Sequence, residues 1–181
     1  MHTRDDGAAR LMQDSDNISV EASKRRSEAS NRGTIRLVGH RVREVQRNVV
    51  QVEAQIACQG RTFSGAASGP VEPPDRLKVP ALATLKALDA CLQIFYLGVS
   101  QPTLTLDDVV EVSVGDFPVA VVMITASDKE HTTPLVAACP LVGMSDPAII
   151  LATLQATTRT LSGWLVWGDG SPGAGEQGQP Q

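Results

Sequence analysis

The sequence predicts an α+β fold made of a duplicated strand-strand-strand-helix unit, with a mainly antiparallel sheet, two helices packed on one face and a pseudo-twofold axis. Two observations predict it. A segment with a helical apolar stripe occurs twice, and each copy follows three segments with strand-like character. Because each helix must bury its stripe against a sheet, two such units form a two-layer domain.

The duplication is clearest in the helical segments. At an offset of 69 residues, six of the eleven positions in 82–92 are identical to 151–161. The same offset aligns Val45 with Val114, Val50 with Val119, Val52 with Val121 and Phe95 with Trp164. A shift of one further residue aligns the prolines of 67–71 and 137–141. We interpret these matches as two halves, at about 34–99 and 100–167.

The first half contains three predicted strands, at 34–46, 50–58 and 61–68. The middle one alternates apolar and polar residues, which is typical of a strand with one buried face. Gly69 and Pro70 are predicted to break the third strand. Pro80 suits the first turn of the helix that follows, because a first-turn residue needs no N–H.

The second half repeats this order, with strands predicted at 104–114, 118–127 and 132–141. Ser145, Asp146 and Pro147 supply a cap and a first-turn proline for a helix at 148–164. Residues 119–125 are mostly apolar at consecutive positions, so both faces of this strand are apolar. The helices would cover one face, and we expect the other to meet another surface.

Polar residues predominate at both ends of the chain. Residues 1–33 are predicted to be a disordered basic and polar arm, and 168–181 a disordered Gly/Pro/Gln tail. The sequence has neither an apolar signal segment nor a run of about 18 apolar residues, so we predict a cytoplasmic protein without a membrane span.

Chemistry-bearing patterns are sparse. The three cysteines, Cys58, Cys91 and Cys139, are far apart, which predicts free thiols rather than a disulfide or a zinc site. His131 is expected in a surface turn, outside any nucleophile pattern. We therefore predict no catalytic residues, no metal and no cofactor, and a protein that is not an enzyme.

The most site-like segment precedes the first helix. Small residues there would let backbone amides approach a carboxylate or phosphate at the helix N-terminus, which makes Gly65, Gly69, Pro70 and Val71 candidate ligand-binding residues. Tight packing between the strand end and the helix is the alternative interpretation.

A basic segment is the candidate for nucleic-acid binding. Residues 24–47 hold eight Lys or Arg against two Glu. Arg36, Arg41, Arg43 and Arg47 could neutralise phosphates. The alternative is a solubilising arm beside an exposed strand face, because no aromatic residues for base stacking lie among them.

Apolar side chains give the candidate interface residues, which are Val119, Val121, Phe95, Trp164 and Trp167. The two valines lie on the strand that is apolar on both faces. The aromatic residues close the two helices, where they either cap the core or anchor a partner.

The strand-strand-strand-helix units, the first reaching its helix through Ser68-Gly69-Pro70-Val71, resemble the C-terminal regulatory domain of α-isopropylmalate and citramalate synthases. The resemblance covers about residues 34–167. It implies a domain that pairs through its sheets as a dimer and binds a small amino or oxo acid near the helix N-termini.

Three functional hypotheses follow. The first is a non-enzymatic assembly or regulatory module, acting as a homodimer or as a subunit of a larger complex. The second is a sensor of a small molecule such as an amino or oxo acid. The third is nucleic-acid binding through the basic arm.

Overall fold

The structure is a computed structural model that describes residues 35–96, 101–143 and 145–166, with the side chains of 163, 165 and 166 excepted. The predicted arm and tail lie outside these residues, and so does Trp167.

The described residues form six strands and two helices, in the order strand-strand-strand-helix twice. They are β1 Arg36–Gln46, β2 Val49–Cys58, β3 Arg61–Pro70, α1 Asp75–Phe95, β4 Thr103–Val114, β5 Phe117–Ser127, β6 Thr132–Pro140 and α2 Ser145–Val166. Each half has its own antiparallel three-stranded sheet, ordered β1-β2-β3 and β4-β5-β6. The predicted α+β class and the duplicated unit are confirmed.

Alternation of side chains sets the buried face of each middle strand. Residues from Val50 to Cys58 are buried at every second position in β2, and those from Ala120 to Ala126 likewise in β5. Both helices lie on these buried faces. Each helix packs on its own sheet and also reaches the other half, α1 at β4 and α2 at β1. The two halves therefore share one core.

Two boundary predictions at prolines are wrong. β3 continues through Gly69 and Pro70, because a proline is tolerated on an edge strand, where one side of the backbone has no partner. α1 begins at Asp75, so Pro80 lies inside the helix and not in its first turn. Similarly, α2 begins three residues before the predicted start and includes Ser145.

The predicted alignment of the strand valines is also wrong. At the offset of 69, the buried Val50 and Val52 align with Val119 and Val121, which lie on the opposite face of their sheet. The sheets match at an offset of 70, because Val49 pairs with Pro70 as Val119 pairs with Pro140. A shift of one residue turns every side chain of a strand to the other face.

The helices do keep the offset of 69. Ala83 and Thr84 correspond to Ala152 and Thr153, and all four are 0% exposed. The connection between the third strand and the helix is therefore one residue shorter in the second half than in the first. None of the helices in the described part of the chain is long and apolar enough to cross a membrane.

Candidate functional site: the outer face of the second sheet

We call the face of each sheet that points away from the helices its outer face. In β5, Ala120, Val122 and Ile124 are buried on the helix side. Val119 and Val121 point the other way, because neighbouring residues of a strand point to opposite faces. Both are only half-buried, so no other described part of the chain covers them completely.

Ten apolar residues make up this outer face over most of its length. Residues paired across antiparallel strands share a face, so the outer patch follows from the registers. We define it as Val110, Val112, Val114, Phe117, Val119, Val121, Met123, Val136, Ala138 and Pro140. Phe117 is 71% exposed, and Val114 and Val136 are each 62% exposed. None of the ten carries a charge.

The most exposed part of the outer patch lies on an extension that the first half lacks. Val112 pairs with Val119 at the position where Gln46 pairs with Val49 in the first sheet. The β1–β2 hairpin turns directly after that pair. The β4–β5 hairpin continues for two more pairs and ends with Val114 beside Phe117.

The outer face of the first sheet is polar by contrast. Gln51 is the counterpart of Val121, and it lies between Arg43 and Ser68 where Val121 lies between Val110 and Ala138. The next outer residue of β2 is Glu53, opposite Arg41, whereas the next in β5 is Met123. The duplicated halves thus share a core and differ on their outer faces.

The predicted interface residues do not all lie together. Val119 and Val121 lie in the outer patch. The Phe95 ring instead contacts Phe63 edge to face, with centroids 5.8 Å apart, and the Arg61 guanidinium lies 6.0 Å from its centre. Trp164 also packs against the core. For these two aromatic residues, core capping is the interpretation that fits the structure.

Of the ten residues of the outer patch, only Val119 and Val121 were predicted as interface residues from the sequence. Val110, Val112 and Val114 recur at every second position of β4, which is the signal that could have revealed them. Phe117 carries the same signal, because it lies two residues before Val119 on β5. Val136 is placed on this face by its cross-strand partner Met123.

The candidate ligand-binding glycines lie under α1. A Cβ atom on Gly65 would be 2.2 Å from the carbonyl oxygen of Ala83, and one on Gly69 would be 2.6 Å from Cγ2 of Val79. Close packing of strand and helix therefore accounts for both glycines, and the space beside Gly65 is filled by the helix backbone. Pro70 and Val71 are exposed beyond the packed region.

Three of the four candidate arginines lie together. Arg36, Arg41 and Arg43 pair with outer-face residues of β2, so they share the polar outer face of the first sheet. Arg47 is exposed in the β1–β2 turn. Glu53 lies directly opposite Arg41 and offsets part of the positive charge.

A mostly buried ion pair joins the two halves at the start of the helices. Arg76 Nη2 donates to Asp146 Oδ2 over 2.6 Å, and the two side chains are 17% and 10% exposed. Arg76 Nη1 and Asp146 Oδ1 are enclosed without a hydrogen-bond partner in the described part of the chain. This pair links the first turns of the two helices.

The remaining chemistry-bearing side chains lie apart from the outer patch. His131 is exposed in the turn before β6, where the backbone N–H groups of Glu130 and His131 lower the pKa of Asp128. Within the described ranges, no three His, Cys, Asp or Glu residues lie close enough to hold a metal ion. A scan against models of protein families finds none that matches this chain, and a search of curated proteins finds no relative, so the family resemblance stays a prediction.

Proposed function

We propose that this chain is a non-enzymatic assembly or regulatory module that binds another protein chain through the outer patch of its second sheet. The other chain is either a second copy or a subunit of a larger complex. The predicted cytoplasmic location belongs to the same proposal and rests on the three free cysteines.

The observation that carries the proposal is the contrast between the two outer faces. Sheets with one face in water normally alternate apolar and polar residues, as β2 does with Gln51 and Glu53. β5 carries Val121 and Met123 at the matching positions. Contiguous exposed apolar surface of this kind marks interaction sites in soluble proteins.

The size of the outer patch supports the same conclusion. With strands about 4.8 Å apart and a rise of about 3.3 Å per residue, the stretches 110–114, 117–123 and 136–140 cover about 270 Å². Covering that area would gain on the order of 7 kcal/mol before the cost of association is subtracted. This free energy is gained only when a binding partner covers the patch and removes it from water.

The two other hypotheses have less support in the geometry. Effector binding near the first helix would have to use Pro70 and Val71 without Gly65, since α1 occupies the space beside that glycine. Nucleic-acid binding would have to use Arg36, Arg41 and Arg43 on a face that also carries Glu53. Neither site combines several features that favour one ligand.

A photo-cross-linking experiment tests the proposal. A photoreactive amino acid is placed at Val121 in one variant and at its counterpart Gln51 in the other, and the full chain is irradiated in cells. We expect a discrete protein adduct from position 121 and none from position 51. The absence of any adduct from position 121 above the level of position 51 would contradict the proposal.

A further inference from the structure

We propose that the free edge of β3 binds an extended, acidic segment of another protein, which adds to the first sheet as a fourth strand. The inference does not depend on the outer patch, because β3 belongs to the other half of the chain. Addition of a strand to a sheet edge is a common mode of peptide recognition, in which main-chain hydrogen bonds supply the affinity.

The register of the β2–β3 hairpin determines which backbone groups point away from β2. Both turn residues, Gln59 and Gly60, have positive φ, so the flanking pair Cys58–Arg61 exchanges two hydrogen bonds. Hydrogen-bonded and non-hydrogen-bonded pairs then alternate along the ladder. The N–H and C=O groups that point to the free edge are those of Thr62, Ser64, Ala66 and Ser68. All four residues are exposed and have short side chains.

A contact with α1 agrees with this direction. The Nζ atom of Lys86 donates to the carbonyl oxygen of Ala66 over 3.0 Å. In the part of the chain that the structure describes, no backbone group pairs with the outward N–H groups. The edge therefore offers donors and acceptors about 6.7 Å apart, which matches the two-residue repeat of another strand.

The other three sheet edges are less suited to pairing with a strand. On β6, the residue that corresponds to Ser64 is Pro134, which has no N–H to donate. β1 and β4 each contain a register shift, and each is contacted by the helix of the other half. Prolines and irregularities of this kind protect sheet edges. β3 has no register shift and no proline before Pro70.

The charges beside the edge favour an acidic partner. Lys86 is exposed near the middle of the edge, and Arg61 lies at its end. A segment that pairs with β3 would donate its own N–H to the carbonyl oxygen of Ala66. The Lys86 ammonium would then be released from that oxygen and could bind a carboxylate on the segment.

The nearest carboxylates leave the Lys86 charge without a partner. Asp89, one turn further along α1, accepts hydrogen bonds from the side chains of Gln93 and Gln101. Glu53 lies on the inner strand, where it accepts from Gln55. Among the described residues, no carboxylate forms an ion pair with Lys86.

A second copy of β3 is a poorer partner for the same reason. A twofold axis at this edge would bring Lys86 of each copy towards the other, and like charges oppose such a contact. A foreign segment that carries Asp or Glu meets no such repulsion.

Selection of a phage-displayed library of random peptides, about ten residues long, on the full chain tests the inference. The native chain should enrich peptides that alternate apolar and polar residues and carry Asp or Glu near their centre. Ser64→Pro should weaken the binding of enriched peptides about tenfold or more, because it removes an N–H from the edge. The fold should tolerate the change, since Pro134 occupies the same position in the second sheet. Ser64→Ala is the matched control, because it keeps the N–H, and it should bind within about twofold of the native chain.

A charge reversal tests the acidic character of the partner. Lys86→Glu should bind the acidic peptides about threefold more weakly or worse. A new selection on this variant should enrich Lys or Arg where the native chain enriched Asp or Glu. Unchanged peptide preferences would overturn the acidic partner.

Amide hydrogen exchange locates the bound peptide on the native chain, and it decides the question alone if Ser64→Pro does not fold. An enriched peptide should slow exchange at the outward N–H groups of β3 and leave Val136 and Ala138 of β6 unchanged. The absence of any enriched peptide overturns the inference, as does equal binding by Ser64→Pro and Ser64→Ala. Protection of the same N–H groups that needs no peptide and grows with protein concentration would identify a second copy at the edge, and it also overturns the inference.

Discussion

Arg76 and Asp146 each occupy the second position of a helix, and their side chains meet across the boundary between the two halves with an N–O distance of 2.6 Å. Both side chains are more than four-fifths buried. The two charges come from the first turns of the two helices, and the duplicated units are joined by an ion pair.

Asp146→Ala should destabilise the fold by on the order of 3 kcal/mol, because it leaves the Arg76 guanidinium mostly buried without its partner. Urea unfolding followed by circular dichroism measures this loss. Asp75→Ala is the control, since Asp75 also lies in a first helical turn but is 64% exposed, and it should cost less than about 0.5 kcal/mol. Equal losses in the free energy of unfolding for the two variants would contradict a stabilising role for the Arg76–Asp146 ion pair.

Gly65→Ala should destabilise the fold by at least about 2 kcal/mol, because the added methyl group would collide with the backbone of α1 at Ala83 and Ala87. Gly39→Ala is the control. A Cβ at Gly39 would meet only the Gln55 side chain at 3.9 Å, so its melting temperature should stay near that of the native chain. A tolerated alanine at position 65 would mean that α1 does not pack this closely on β3.

The thiols of Cys58 and Cys91 should resist alkylation in the folded chain. Both are 1% exposed, which keeps the alkylating reagent away from them. The Cys91 thiol donates a hydrogen bond to Cys58, which raises the pKa of Cys91 and lowers that of Cys58, so burial and not a lack of thiolate protects Cys58. Cys139 is only half-buried on an edge strand and should react first. Mass spectrometry after timed alkylation at pH 8 would show one fast modification, and two others at the rate of unfolding.

Asp108 should contribute stability that depends on pH. The backbone N–H of Val109, and then Lys78, lower the pKa of Asp108 below its usual value of 3.8. A carboxyl whose pKa is lower in the folded state stabilises the fold above the unfolded pKa, and this contribution is lost as the pH falls through the folded pKa.

The variant Asp108→Asn should therefore melt below the native chain at pH 7, and the difference should shrink towards zero near pH 2. Asp116→Asn, in the exposed β4–β5 turn, serves as the control and should match the native chain at pH 7. A difference for Asp108→Asn that is the same at both pH values would exclude a charge-dependent contribution.

Most of the fold was predictable because its signals are local. Alternation in β2 and the apolar stripe of the helix at Leu85, Leu88 and Leu92 depend only on neighbouring residues. Pro80 was misplaced because nothing in its vicinity shows that tertiary packing keeps residues from Asp75 onward in the helix. The candidate site was predicted only in part, since Val119 and Val121 were recognised without their neighbours on β4 and β6.

The sequence by itself determined the α+β class, the duplication and the presence of a strand with two apolar faces, because these depend on periodicity and on repeated letters. The tertiary structure alone decided which valines face outward, since a one-residue shift of register exchanges the faces of a strand. It also placed Val110 and Ala138 beside Val121, because cross-strand pairing joins residues that are distant along the chain. The same pairing made Gln51 the counterpart of Val121, and that comparison distinguishes the half with a polar outer face from the half with an apolar one.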